Sequence, residues 1–199
     1  MPDAWDSGFR VSIKNTVDLS KIQKAVQKAQ CEILIGFPGG RQHVPTLHKN
    51  AEGKYEGYNG ESVEDIKPVE TAELAKALHF GTASIPARPF LTDGIESKKN
   101  EIKKAMEEEA KKAVNGGQAN WDKVGTMAVG AVQEFVRGDY YKSNVPNSEK
   151  TKEYKGSDKP LIDGADLINS LAYVKNGQTF LTGKGADDAD SYNARDFRS

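Results

Sequence analysis

The amino-acid sequence of 199 residues predicts an α+β fold, with a small mixed β-sheet flanked by helices, long irregular loops and a flexible C-terminal tail. Three observations carry this prediction. Phe9, Val11 and Ile13 alternate with Arg10, Ser12 and Lys14, the period of two expected of a half-buried strand. Between residues 93 and 138 apolar residues return at spacings of three and four, as on helices that lie against a core. Near the end of the chain Asn176-Gly177 separates two apolar runs, a pairing that favours the type I′ turn of a hairpin.

The alternation places a first strand at about 8–15. Asp18 then caps a helix over 18–30, whose residues Leu19, Ile22, Ala25, Val26 and Ala29 share one face and can cover that strand. Cys31 to Ile35 is short, apolar and β-branched, and Gly36-Phe37-Pro38 ends it, which gives a second strand at 31–36. From Arg41 to Pro68 no period holds and glycines recur, so this stretch predicts a projecting loop or hairpin arm. Thr71 is placed to cap a short helix through Leu74, Ala75 and Leu78, which stops at Gly81. Asp93 and Glu96 form an Asp-x-x-Glu capping box opening a helix over 93–115 with a thin apolar stripe and a wet, mixed-charge face. Asn115-Gly116-Gly117 ends it, and Trp121, Val124, Ala128, Ala131, Val132 and Phe135 mark a more deeply buried helix over 120–138. Residues 138–163 read as a second long loop. A short helix near Leu167 leads into hairpin strands at 170–175 and 178–182. Residues 1–183 thus form one domain, and 184–199 are too polar to order themselves.

With 37% hydrophobic and 29% charged residues the chain is surface-rich, and much of it should be solvated or await a partner. A net charge of −1 supplies no long-range attraction for nucleic acid or an anionic membrane, so neither is expected as a partner. Cys31 is the single cysteine, which excludes an intramolecular disulfide and suits a reducing compartment. No apolar run approaches the roughly 18 residues of a spanning helix, and synthesis in a cytoplasm is expected.

Residues 80–91, Phe-Gly-Thr-Ala-Ser-Ile-Pro-Ala-Arg-Pro-Phe-Leu, are the most heavily punctuated stretch. Pro86 and Pro89 fix φ and push Ile85 and Arg88 toward extended backbone, so the segment is stiff. It reads either as a rigid connector whose apolar residues fill local core or as a contact surface that holds Arg88 partly exposed between prolines beside Phe90 and Leu91. The strings Phe80-Gly81-Thr82 and Ile85-Pro86-Ala87-Arg88-Pro89-Phe90-Leu91 resemble the signature of a family of tailed-bacteriophage neck proteins, the tail-completion, head-tail joining or minor tail proteins. A second stretch, Lys155-Gly156-Ser157-Asp158-Lys159-Pro160-Leu161-Ile162-Asp163 followed by Leu167 and Ser170-Leu171, resembles the same family's later motif, in the same order. The likeness runs from about Cys31 to Tyr173, with Gly36-Phe37-Pro38 as a fainter marker. It departs where Asp163-Gly164-Ala165 stands for the usual Asp-Thr-Gly and in the length of the loop from Gly39 to Pro68.

The resemblance implies a ring-forming protomer in the virion neck, in a ring of six, whose partners are copies of itself, the tail-tube protein and the head-completion proteins. Arg88, Phe90, Leu91, Tyr55, Tyr58 and Lys159 are the interface candidates. No phosphate loop of the Walker type, nucleophile elbow or Ser-x-x-Lys pair occurs, and neither a cofactor, a metal nor a catalytic set is expected. The alternative reading, a small metal-dependent hydrolase, would use His43 and His48 with a third ligand supplied by the fold, His79 standing beside the connector.

Overall fold

The computed structural model describes residues 19–43, 45, 47–163 and 166–181. The strand expected at 8–15 and the tail at 184–199 lie outside the described residues. The chain is α+β. Helix α1 (Leu19–Ala29) lies along α4 (Lys99–Val114). Strand β1 (Ile33–Gly36) follows, the arm holds three two-residue strands, β2 (Gln42–His43), β3 (His48–Lys49) and β4 (Tyr55–Glu56), and a fourth, β5 (Val69–Glu70), comes directly after it. Then come α2 (Thr71–Phe80), α3 (Phe90–Ser97), α4, α5 (Trp121–Arg137), α6 (Tyr140–Asn144), α7 (Glu149–Lys155) and α8 (Asp166–Asn169), with β6 (Ala172–Lys175) and β7 (Gln178–Leu181) closing the order.

The main sheet runs β1-β6-β7. Among the described residues all strand pairings are antiparallel, where the sequence predicted a mixed sheet. The hairpin forces this for β6 and β7: Asn176 and Gly177 adopt φ of 49° and 85°, the two left-handed positions of a type I′ turn. Asn176 also exchanges hydrogen bonds with Glu32, its backbone N donating to the Glu32 carbonyl at 3.1 Å and its Oδ1 accepting from the Glu32 N at 3.1 Å, which sets the register of β1.

Helix α5 lies over this sheet, its buried residues Val124, Ala128, Val132 and Val136 recurring every four positions, with Val129 beside them. Asn120 caps it, its Oδ1 accepting from the Lys123 N at 3.2 Å. The principal core joins Phe90, Val129, Val132, Tyr141, Leu167 and Leu171, and a second cluster joins Ile102 and Ala105 to Val124 and Ala131. Two glycines permit close approaches of α3 and the sheet to α5. A Cβ on Gly94 of α3 would stand 2.7 Å from the Val132 Cα, and one on Gly125 would stand 2.4 Å from the Tyr173 ring. Both helix-to-helix and helix-to-sheet contacts therefore depend on a missing methyl group.

Several elements differ from the sequence reading, each because a distant contact overrides a local signal. The expected helix over 93–115 begins at Phe90, directly after Pro89, and breaks at Lys98 (φ −121°, ψ 18°). Asp93 does not serve in a capping box; its Oδ2 accepts from the Tyr141 hydroxyl at 2.5 Å. Thr71 is the first helical residue of α2 rather than its cap, and is wholly buried while its N–H donates to the Arg41 carbonyl. On α4 the face read as uniformly wet conceals Glu109, fully buried and accepting from the Asn120 N at 2.7 Å and from Lys112 Nζ at 2.6 Å. Residues 138–163 are not a loop. Ser148 caps α7 by accepting from the Thr151 N, and Gly156 ends it in left-handed backbone at φ 62°.

Candidate functional site

The arm, the end of α2, the connector and α7 surround a cleft of about 780 Å³. Ser84, Ile85, Pro86 and Arg88 of the connector form one wall, and Lys155, Leu161 and Asp163 of the second resembling stretch, Lys155 to Asp163, form another. Tyr58 and Asn59 bring the arm to the rim. The two stretches singled out in the sequence thus border one space.

Arg88 is the link between them and α6–α7, and it corrects a sequence expectation. It is 4% exposed, not a partly exposed contact cation. Its Nε donates to the Val145 carbonyl at 2.9 Å, and its Nη2 donates to the Pro146 carbonyl at 3.1 Å and to Asn147 Oδ1 at 3.4 Å. A planar guanidinium suits this task because its N–H groups diverge in fixed directions and none can accept. Burial pulls its pKa below the ordinary value, partly opposed by Tyr141. Phe90, also offered as an interface residue, is 1% exposed and meets Phe37 and His79 edge-on at ring distances of 6.0 and 5.5 Å. Leu91 is partly buried against the same core. The rigid-connector reading describes these three residues, because the two prolines deliver them to a core that Val132 and Leu171 already occupy.

The later motif turns at Leu161, which carries φ 62° although it has a side chain and is 7% exposed. A left-handed leucine costs on the order of 1 kcal/mol, which its burial beside Leu167 offsets. Lys159 is engaged at the end of α5, donating to the Arg137 carbonyl at 3.0 Å with Asp139 at 3.8 Å, where a cation suits the helix C-terminus. Lys155 lines the cleft and donates to the Lys159 carbonyl at 3.1 Å. Burial lowers its pKa, Asp163 opposes that shift and Arg88 adds to it.

Within the arm β3 and β4 pair as a hairpin, one of the two forms expected of it, and Tyr58 packs the arm onto α7. Tyr58 packs edge-on against Tyr154 at 5.1 Å, shares a hydrogen bond with Thr151 at 3.2 Å and carries Lys150 over its ring. His48 also meets Tyr154 edge-on, at 4.5 Å. Tyr55 remains 55% exposed on β4, with Lys49 over its ring.

The histidines offered for metal chemistry stand on different strands with different partners. His43, buried at the cleft wall, meets Asp166 Oδ2 at 3.1 Å through Nδ1, and His48 meets Glu56 at 3.3 Å. His79 lies against Phe80 and Phe90, its pKa lowered by burial with Asp93 opposing. Among the described residues no group of three or more His, Cys, Asp or Glu could hold a metal ion. Cys31 is partly buried, and burial raises its thiol pKa.

No family model, curated protein or solved structure matches the chain.

Sequence reasoning missed Asn147, Val145 and Pro146, the residues that Arg88 grips. The available signal was local: Ser148 with Thr151 marks the start of α7, so the preceding residues had to be a fixed approach to a helix.

Proposed function

We propose that this protein is a structural component of a long-tailed phage virion, a protomer of a closed ring at the head-tail junction that completes the tail and docks it to the head connector. The observation that carries the reading is the meeting of the two resembling stretches in one cleft, with Arg88 joined to the carbonyls of residues 145 and 146. This proximity supports treating the two stretches as one unit. A closed ring requires a heterologous interface, in which one patch of the protomer meets a different patch of the next. The exposed Phe80 (73%), Tyr55 and Tyr140 (50%) offer aromatic surface for such contacts, with copies of this chain, the tail-tube protein and the head-completion proteins as partners. The work of the protein is then geometric, and the virion neck is where it resides.

The test is the mass of the purified protein over a range of concentrations, with and without tail-tube protein, followed by negative-stain imaging. A closed ring of about six copies is expected. A strict monomer under all conditions, including within assembled particles, overturns the reading.

A further inference from the structure

Two cations line the cleft, and neutral oxygens are their hydrogen-bond acceptors. Arg88 donates to the carbonyls of Val145 and Pro146 and to the amide oxygen of Asn147, and Lys155 donates to the carbonyl of Lys159. Cations withdrawn from water in this way are costly unless an anion joins them. Asp163 is the carboxylate of the lining among the described residues, so the cations outnumber it. A third donor stands beside them. Because Arg88 can only donate, it holds Asn147 by Oδ1, and the Nδ2 of this buried side chain has no hydrogen-bond partner among the described residues. Leu74, Leu78 and Ile85 complete the walls with aliphatic surface.

We propose that this cleft binds an acidic side chain of a partner protein, presented on an extended segment with aliphatic neighbours. The carboxylate meets Lys155, Arg88 and Asn147 Nδ2, and the flanking side chains lie on Leu74, Leu78 and Ile85. The volume of about 780 Å³ falls within the roughly 300–1,000 Å³ of pockets that enclose a small ligand, here a few residues of chain. The repulsion between Lys155 and Arg88 acts in the same sense, since one carboxylate relieves both. The assignment stands apart from ring formation: solution mass reports the ring, and peptide titration reports the cleft.

The experiment is calorimetric titration of the full chain with the capped peptide acetyl-Leu-Glu-Leu-Val-amide, its glutamine counterpart, and octanoate as a carboxylate without a peptide. The glutamate peptide should saturate the protein, and the glutamine peptide should bind at least about tenfold more weakly, because it leaves the cations unpaired. That preference should shrink as salt is raised. Lys155→Met should bring the two peptides within about twofold of each other while leaving the urea midpoint near that of the parent. In amide-detected NMR the Asn147 side-chain NH₂ should shift on adding the glutamate peptide. Equal affinity for the two peptides, no saturation by either, saturation by octanoate alone, or an unchanged preference in Lys155→Met overturns the proposal. Should Lys155→Met fail to fold, the comparison of peptides on the unaltered protein decides it.

Discussion

Replacing Gly94 by alanine tests whether the contact between α3 and α5 is as close as the structure makes it. The added methyl would stand 2.7 Å from the Val132 Cα and 3.1 Å from its Cγ2. Carbon atoms prefer about 3.5–4.0 Å, so the helices would have to separate by roughly 1 Å. The nearest atom is backbone, which cannot rotate away, and Phe90, Val129 and Val132 leave no slack beneath it. Overpacking of this kind costs about 1–3 kcal/mol, against which alanine recovers about 1 kcal/mol of helix propensity. A net loss of about 1–2 kcal/mol is expected, toward the upper part of the difference because backbone must move. Gly130 on α5 is the control, since a methyl there meets nothing within 4 Å. Gly130→Ala should gain about 0.5–1 kcal/mol from propensity alone. Equilibrium urea unfolding followed by circular dichroism reads both variants, and at about 2–4 °C per kcal/mol for a chain of this length melting should separate them by about 3–12 °C. If Gly94→Ala is as stable as Gly130→Ala, the reasoning about this contact fails.

Arg88→Ala should destabilise the protein by about 2–3 kcal/mol, because it strands the acceptors of residues 145–147. Arg88→Lys should not restore them, since a single ammonium cannot reproduce the fork; a melting temperature unchanged in Arg88→Ala would return this residue to the surface role the sequence suggested. Phe90→Ala should cost about 3–5 kcal/mol in urea unfolding, and a loss below about 1 kcal/mol would mean that the site collapses around the cavity. Asp122 accepts from Lys175 Nζ at 2.6 Å and from the Tyr173 hydroxyl at 2.9 Å, and these bonds, Lys175 first, hold its carboxyl below the usual range. A depressed native value means that its stabilisation is present above the unfolded pKa of about 3.9 and is lost as pH falls from about 5 through the native value. Asp122→Asn should therefore flatten the acid limb of stability against pH; an unchanged limb would assign acid sensitivity to other carboxylates.

What the sequence determined by itself is what local chemistry determines. Asn176-Gly177 closes the β6–β7 hairpin because two adjacent left-handed positions admit few other pairs, and the spacing of Val124, Ala128, Ala131 and Val132 marks the buried face of α5. Gly81 ends α2 at φ 77° as its position suggested. Even α7, read as loop, carried its own cap at Ser148 and its stop at Gly156. Tertiary structure decided the rest. Nothing near Arg88 in the chain announces that the carbonyls of residues 145 and 146 will surround it, so proline stiffness alone suggested exposure. Glu109 is indistinguishable in sequence from Glu107 and Glu108; it is buried because the Asn120 N–H, at the start of the next helix, needs an acceptor. Likewise the two walls of the cleft are far apart in the chain, and only the docking of α7 and the arm brings them together. Caps, turns and periodicity act over a few residues and can be read in order, whereas burial and charge pairing depend on which distant atoms arrive at the same place.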